Sequence, residues 1–105
     1  MANDVSIQAA GYETVAAGQT GQVLGGSGAK GDYLSHVLIR PASTSPGAVT
    51  ILDGATSIII FPGGASSVTS LVPFTVPIGA NIASGPWSVT TGSNVSAIAF
   101  GRFGA

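Results

Sequence analysis

Short apolar runs separated by turn residues recur along the whole chain. Glycine, proline, asparagine and aspartate interrupt it at intervals too short for helices of ordinary length. The runs between these breaks are rich in β-branched and aromatic residues, which favours strands. Eight strands are predicted, at residues 12–16, 19–24, 33–40, 48–52, 57–61, 68–78, 87–91 and 95–103. Strands of this kind, with turns every 8 to 12 residues or so, are typical of a sandwich or barrel.

The predicted fold class is all-β, a single-domain antiparallel β-sandwich or jelly-roll-like barrel of about eight short strands. A chain of 105 residues can build one hydrophobic core but not two. We expect residues 12–105 to form this single β domain. Residues 1–11 have only Val5 and Ile7 as apolar anchors, so we expect them to form a flexible N-terminal arm.

Two hairpins are predicted from turn chemistry. Asp53-Gly54 lies between two apolar runs, and an Asp-Gly pair favours the positive φ values of a tight hairpin turn. Apolar and polar residues alternate in 87–90, before the turn sequence 92–94. After that turn the two-residue period continues in 95–100, where both faces become apolar near 98–100, as expected for a central strand or one covered by a neighbour. We therefore expect these two segments to pair as a C-terminal hairpin. Trp87, at the start of its first arm, is expected to anchor the core.

Two segments depart from simple alternation. Residues 58–61 are consecutive bulky apolar residues, so one strand has apolar side chains on both faces. One face meets the core, and the other is covered by the same domain or by another subunit; the sequence leaves both open. Pro73 and Pro77 lack ladder donors and place residues 71–78 at a sheet edge or at a crossing between sheets. The predicted interface residues are Ile58, Ile59, Ile60, Phe61, Phe100 and Phe103.

Charged residues are scarce, at 7% of the chain, whereas an ordinary soluble domain is about a quarter charged. With 3 Lys and Arg against 4 Asp and Glu there is no basic stripe, so nucleic acid is not an expected partner. No run approaches the ~18 apolar residues of a membrane span, and we expect no membrane partner. The N-terminus lacks the pattern of a secretory signal. If the protein functions outside the cell that made it, we expect it to leave by lysis or as part of a particle. Low charge also limits repulsion between identical copies packed closely together.

No motif indicates catalysis. His36 is the only histidine and lies in a predicted strand, where two-residue spacing puts it on the same face as Leu34, Leu38 and Arg40. No serine stands in a nucleophile-elbow setting. Residues 26–31 have the glycine spacing of a dinucleotide-binding loop, but a strand follows where that motif opens a helix. With one histidine, no cysteine and scattered carboxylates, we expect no catalytic residue, no cofactor and no metal site.

Three stretches carry a resemblance to a known family: GDYL at 31–34, TSPGAV at 44–49 and WSVTTG at 87–92. With them, the chain resembles the small, cysteine-free, Gly/Ser/Thr-rich β proteins that decorate or cement the heads of tailed bacteriophages. The resemblance implies a non-enzymatic virion protein that binds the major capsid protein on the outer capsid surface. It also implies attachment as a trimer or as single copies at symmetry positions, and synthesis in the cytoplasm of a bacterial host. We expect a homo-oligomer, with a trimer favoured, because the doubly apolar strand at 58–61 and the scarcity of charge suggest surface that one domain cannot hide.

Two other classes stay open. A receptor- or carbohydrate-binding module of a phage tail or fibre would use aromatic and hydroxyl side chains in its loops, and few aromatic residues lie in the predicted loops. A self-assembling tail-tube or fibre subunit is compatible with the exposed strand edges that an open sandwich leaves.

Overall fold

The structure, a computed structural model, describes residues 10–25, 32–81 and 86–103. Within these ranges the chain is all-β and contains no helix. The strands are β1 Ala10–Val15, β2 Gln22–Val23, β3 Tyr33–Pro41, β4 Val49–Asp53, β5 Thr56–Phe61, β6 Phe74–Asn81, β7 Trp87–Thr91 and β8 Val95–Arg102. Each of the eight overlaps one of the predicted strands.

The strands form two antiparallel four-stranded sheets. Sheet A has the order β1-β8-β3-β6 and sheet B the order β2-β7-β4-β5. The first strand therefore pairs with the eighth, the second with the seventh, the third with the sixth and the fourth with the fifth. A long antiparallel ribbon rolled into two facing sheets gives this pairing, which is the jelly-roll arrangement. The predicted fold class is confirmed.

The core lies between the two sheets and is built from alternate residues of the central strands. In β8 the buried and less buried positions alternate along the whole strand, as expected for one flanked by β1 and β3. Trp87 is 2% exposed, and its indole N–H donates to the main-chain carbonyl of Asp32 at 3.3 Å. The predicted core role of Trp87 is therefore confirmed. The other fully buried apolar residues are Val15, Leu24, Leu34, Val37, Ile39, Val49, Ile51, Val89, Val95, Ala97 and Ala99.

The hairpin predicted at Asp53-Gly54 is confirmed. Asp53 pairs with Thr56, and β4 and β5 are joined by the two residues between them. Gly54, the first of the two, has a φ of 62°, as a type II′ turn requires.

The prediction that residues 87–91 and 95–100 pair as a C-terminal hairpin is wrong. β7 pairs with β2 and β4 in sheet B, whereas β8 pairs with β1 and β3 in sheet A. Residues 92–94 carry the chain from one sheet to the other, with Asn94 at a φ of 59°. Alternation shows that each strand has one buried face, and the two faces here meet across the core rather than within one sheet.

The prediction for the proline-containing segment is confirmed. β6, which contains Pro77, is an edge strand of sheet A. Residues 62–73 cross from sheet B to sheet A and lie against an earlier loop, where Val68 N–H donates to the Thr44 carbonyl at 3.4 Å. The sixth strand therefore begins at Phe74 and not at residue 68. The preceding segment, which crosses between the sheets, makes this main-chain hydrogen bond to a loop and not to a strand.

Two predicted features lie wholly or mostly outside the described residues. The structure describes the chain from Ala10, in β1, so residues 1–9 of the predicted N-terminal arm lie outside the described residues. The glycine-rich residues 26–31 are likewise outside it. In the part of the chain that is described, no helix has the length and hydropathy to cross a membrane.

Candidate functional site

The edge of the sandwich formed by β1 and β2 is closed by polar contacts between the two sheets. The Glu13 carboxylate accepts hydrogen bonds from the Gly25 main-chain N–H and from the Gln22 side-chain amide, both at 2.8 Å. Buried Thr91 in β7 donates its hydroxyl to the Ala16 carbonyl at 2.6 Å. Side-chain and loop hydrogen bonds thus join sheet A to sheet B along this side.

The opposite edge is apolar. We define the β5–β6 edge as β5, β6 and residues 71–73, which precede β6. The rings of Phe61 and Phe74 meet edge to face at 5.3 Å and connect the two strands across the sandwich. The large apolar side chains exposed on this edge are Ile58 at 45%, Ile59 at 66%, Leu71 at 50% and Val72 at 69%.

The core is incompletely covered at the β5–β6 edge. Ile58 pairs with fully buried Ile51 and so shares its side of sheet B, but Ile58 is nearly half exposed. The pairing register of β4 and β5 shifts between Val49 and Thr50. At this shift two consecutive residues of β5, Ile60 and Phe61, both pack against the core. The residues of this edge that pack on the core are only partly buried: Ile60, Phe61, Phe74, Val76, Ile78 and Ala80.

β5 also lacks the features that usually protect an edge strand from pairing with another chain. Such features are short length, proline or an inward-pointing charge. β2 has only two residues, β6 contains Pro77, and β1 has Glu13. β5 reads TSIIIF, without charge, proline or glycine, and among the described residues it pairs on one side only, with β4. None of these protective features is therefore present in β5.

A second feature lies on the outer face of sheet A. Tyr12 of β1, Phe100 of β8 and His36 of β3 are register partners in three adjacent strands. The Tyr12 and Phe100 rings are 5.8 Å apart and tilted, and the His36 and Phe100 rings are stacked at 4.6 Å. We call these three side chains the aromatic row.

The position of His36 corrects the prediction that it shares a face with Leu34. The register of β3 shifts between these two residues on both sides, so the strand has a bulge at Ser35. Leu34 is fully buried, while Ser35 and His36 both face outward, with the Ser35 hydroxyl 3.0 Å from His36 Nδ1. One extra residue reverses the faces that two-residue spacing predicts. Leu38 and Arg40 do share the outward face with His36.

Beside the aromatic row lies an open groove of about 590 Å³. Gly11 and Gly101, which face each other across β1 and β8, form part of its lining. Its side chains are those of the aromatic row and of Tyr33, Ser35 and Arg102. The volume is within the range, roughly 300 to 1,000 Å³, of small-molecule sites.

The outer face of sheet A is the positive side of the described protein. Arg40 and Arg102 are both exposed on it. The described carboxylates lie elsewhere: Glu13 faces the β1–β2 edge, Asp32 is buried and Asp53 ends β4 in sheet B. An anionic group in the groove would therefore meet Arg102 without a facing carboxylate from these residues.

The structure places the predicted interface residues on separate surfaces. Residues 58–61 form β5, where Ile58 and Ile59 are exposed and the next two are partly buried. Phe100 lies in the aromatic row on sheet A, and Phe103 packs partly buried against the core after β8. Sequence reasoning missed Leu71 and Val72, whose signal is an apolar pair just before Pro73. It also missed the aromatic row, because register partners are distant in sequence.

In the described ranges, no three histidine or carboxylate side chains come together as a metal site would need. The fold and these surfaces define the class of the chain as a single-domain jelly roll with one open apolar edge and one aromatic groove. Comparison with protein-family models, curated proteins and solved structures finds no match.

Proposed function

We propose that the protein is a non-enzymatic structural subunit that decorates the outer surface of a tailed-phage head and associates through its β5–β6 edge. The observation that carries the proposal is the exposed, uncharged β5 beside an incompletely covered core. A second chain that packs on this edge removes apolar surface from water and can pair with the free side of β5. The resemblance in sequence supplies the capsid as partner.

The partners we propose are the major capsid protein and further copies of the same chain. Each copy has one β5–β6 edge, so three copies can form a closed ring in which this edge packs on a different surface of the next copy. We favour a trimer because the phage decoration proteins that the chain resembles usually bind the capsid as trimers or as single copies at symmetry positions. The low charge of the chain, a net −1, keeps repulsion between such copies small.

Replacing Ile59 with lysine is expected to abolish association while the fold persists. Ile59 is 66% exposed, so the free energy of unfolding should change by about 0.5 kcal/mol or less. Lysine on an edge strand opposes pairing with another chain because its charge would be desolvated. Light scattering should show a trimer for the parent protein and a monomer for the variant. Sedimentation with phage heads that lack the protein should show binding of the parent only.

Thr14→Lys is the matched control, since Thr14 is an exposed strand position on β1, at the other end of sheet A. It should keep both the mass and the head binding of the parent protein. An Ile59→Lys variant that still assembles and binds heads normally would exclude the β5–β6 edge as the contact. Electron microscopy of purified particles then locates the chain, and a position in the tail would overturn the head assignment.

The alternative class, a receptor- or carbohydrate-binding module, is favoured by one observation, the groove beside the aromatic row. This groove lies on sheet A and shares no residue with the β5–β6 edge. A binding site there is therefore compatible with a decoration role.

A further inference from the structure

The groove on sheet A has two walls of different chemistry. The aromatic row forms one wall, and Tyr33 and Arg102, themselves register partners, form the other. Phe100 and Arg102 are two residues apart on β8, which separates the walls by about 7 Å along the strand. Between them the main chain of Gly11 and Gly101 forms part of the groove lining. The result is a narrow slot across the strands that is open to solvent.

The aromatic wall is suited to the apolar face of a sugar ring. Tyr12 is 68% exposed and ends the row, because β1 is the edge strand of sheet A in the described part of the chain. The apolar ring of Tyr12 can pack against the C–H groups of a sugar, and its hydroxyl can at the same time form a hydrogen bond with a sugar hydroxyl. Phe100 and His36 are half-buried and stacked on each other, which holds the rest of the wall in place.

The opposite wall is suited to hydroxyl and carboxylate groups. The Tyr33 hydroxyl can donate and accept, and the Arg102 guanidinium can bind a carboxylate with two parallel hydrogen bonds. Ser35 also lines the groove, because the bulge in β3 turns it outward together with His36. Apolar contacts on one side and a cation with hydroxyls on the other are complementary to an acidic pyranose.

We propose that this groove binds an acidic saccharide, a chain of pyranose rings that includes a carboxylate-bearing sugar. The ring packs against the aromatic row, and the carboxylate binds Arg102. Single-stranded nucleic acid also combines rings with negative charge, but it needs a basic groove along many phosphates. The described part of this face has only two arginines, and the net charge of the whole chain is −1.

The first test measures binding of the protein to an array of oligosaccharides. The array contains saccharides with uronic or sialic acid residues, each paired with a neutral counterpart. We expect binding to members of the acidic set and at least about tenfold weaker binding to the same saccharides as methyl esters, which keep the rings and lose the charge. Absence of binding to every acidic member at millimolar concentration would overturn the proposal. So would equal binding of acids and esters, or tighter binding of an oligothymidylate.

Two substitutions and two matched controls then locate the site by titration with the best acidic ligand. Arg102→Gln should weaken binding about tenfold and abolish the preference over the ester, while Arg40→Gln, on the same face but outside the groove, should not. Tyr12→Ala should weaken binding of acid and ester alike, and Thr14→Ala should not. Equal losses of affinity in Arg102→Gln and Arg40→Gln would indicate nonspecific electrostatic attraction of the ligand to this face and would contradict a binding site in the groove.

The test is independent of assembly. Ile59→Lys should bind the acidic ligand as the parent protein does, because the groove contains no residue of the β5–β6 edge. Failure of the saccharide titration with normal head binding would remove the groove proposal alone. Normal titration by a protein that does not bind heads would remove the decoration proposal alone.

Discussion

Replacing Trp87 with alanine is expected to lower the free energy of unfolding by about 3 to 5 kcal/mol. The side chain is 2% exposed and belongs to the single hydrophobic cluster between the sheets. Alanine would leave a cavity there and would remove the indole N–H that donates to the Asp32 carbonyl. A domain of this kind has about 5 to 15 kcal/mol of stability in total, so the variant should lose a large part of it and unfold at a much lower denaturant concentration than the parent protein.

Denaturant unfolding followed by circular dichroism checks this expectation, with Trp87→Phe as the control. Phenylalanine keeps much of the buried apolar volume and loses the hydrogen bond, so the loss should be clearly smaller than with alanine. If Trp87→Ala unfolds at the same denaturant concentration as the parent protein, the indole does not anchor the core.

Replacing Gly101 with alanine is expected to cost about 3 kcal/mol or more, the upper end of overpacking effects. Gly101 pairs with Leu34, and a Cβ added there would overlap the Tyr33 carbonyl oxygen and come within 3.1 Å of the Leu34 Cα. These atoms are main chain and cannot rotate away. The β3–β8 ladder would have to separate at the bulge that turns Ser35 and His36 outward.

Gly11→Ala is the matched control for Gly101→Ala. Gly11 pairs with Gly101 on the other side of β8, but a Cβ added to Gly11 meets no atom within 4 Å. The control should be neutral or slightly stabilising, by up to about 1 kcal/mol, because alanine has less conformational freedom in the unfolded chain. Thermal unfolding of both variants measures the difference. Equal destabilisation would show that the close approach at Tyr33 is not what requires glycine.

The two proposed surfaces follow from one property of the rolled fold. Rolling one ribbon into two sheets leaves β1 and β2 at one side and β5 and β6 at the other. The first side is closed by the Glu13 hydrogen bonds, whereas the second is held by the Phe61 and Phe74 contact and leaves apolar surface exposed. The outer face of sheet A remains separate from both and contains the groove.

The candidate site could be predicted only in part. Four consecutive apolar residues at 58–61 indicate a strand whose second face needs cover, and the structure places them on an edge strand. The sequence groups Phe100 with them only by its apolar character. Its neighbours are instead Tyr12 and His36, which the sheet brings beside it from far away in the sequence.

The sequence by itself determined the local features of this protein. Alternation and turn residues located the eight strands, Asp53-Gly54 located the β4–β5 turn, and Pro77 located an edge strand. Each depends on the φ preferences, ladder donors or two-residue period of a single segment, so neighbours in space are not needed to infer it.

Only the tertiary structure decided which strands are partners and which faces meet. Alternation in residues 87–100 is equally compatible with a hairpin and with two strands in opposite sheets, because both bury the same side chains. The bulge at Ser35 changes the face of His36 without any local signal, since it depends on the register of both neighbouring strands. The aromatic row and the open β5–β6 edge arise from such long-range pairing, which no single segment encodes.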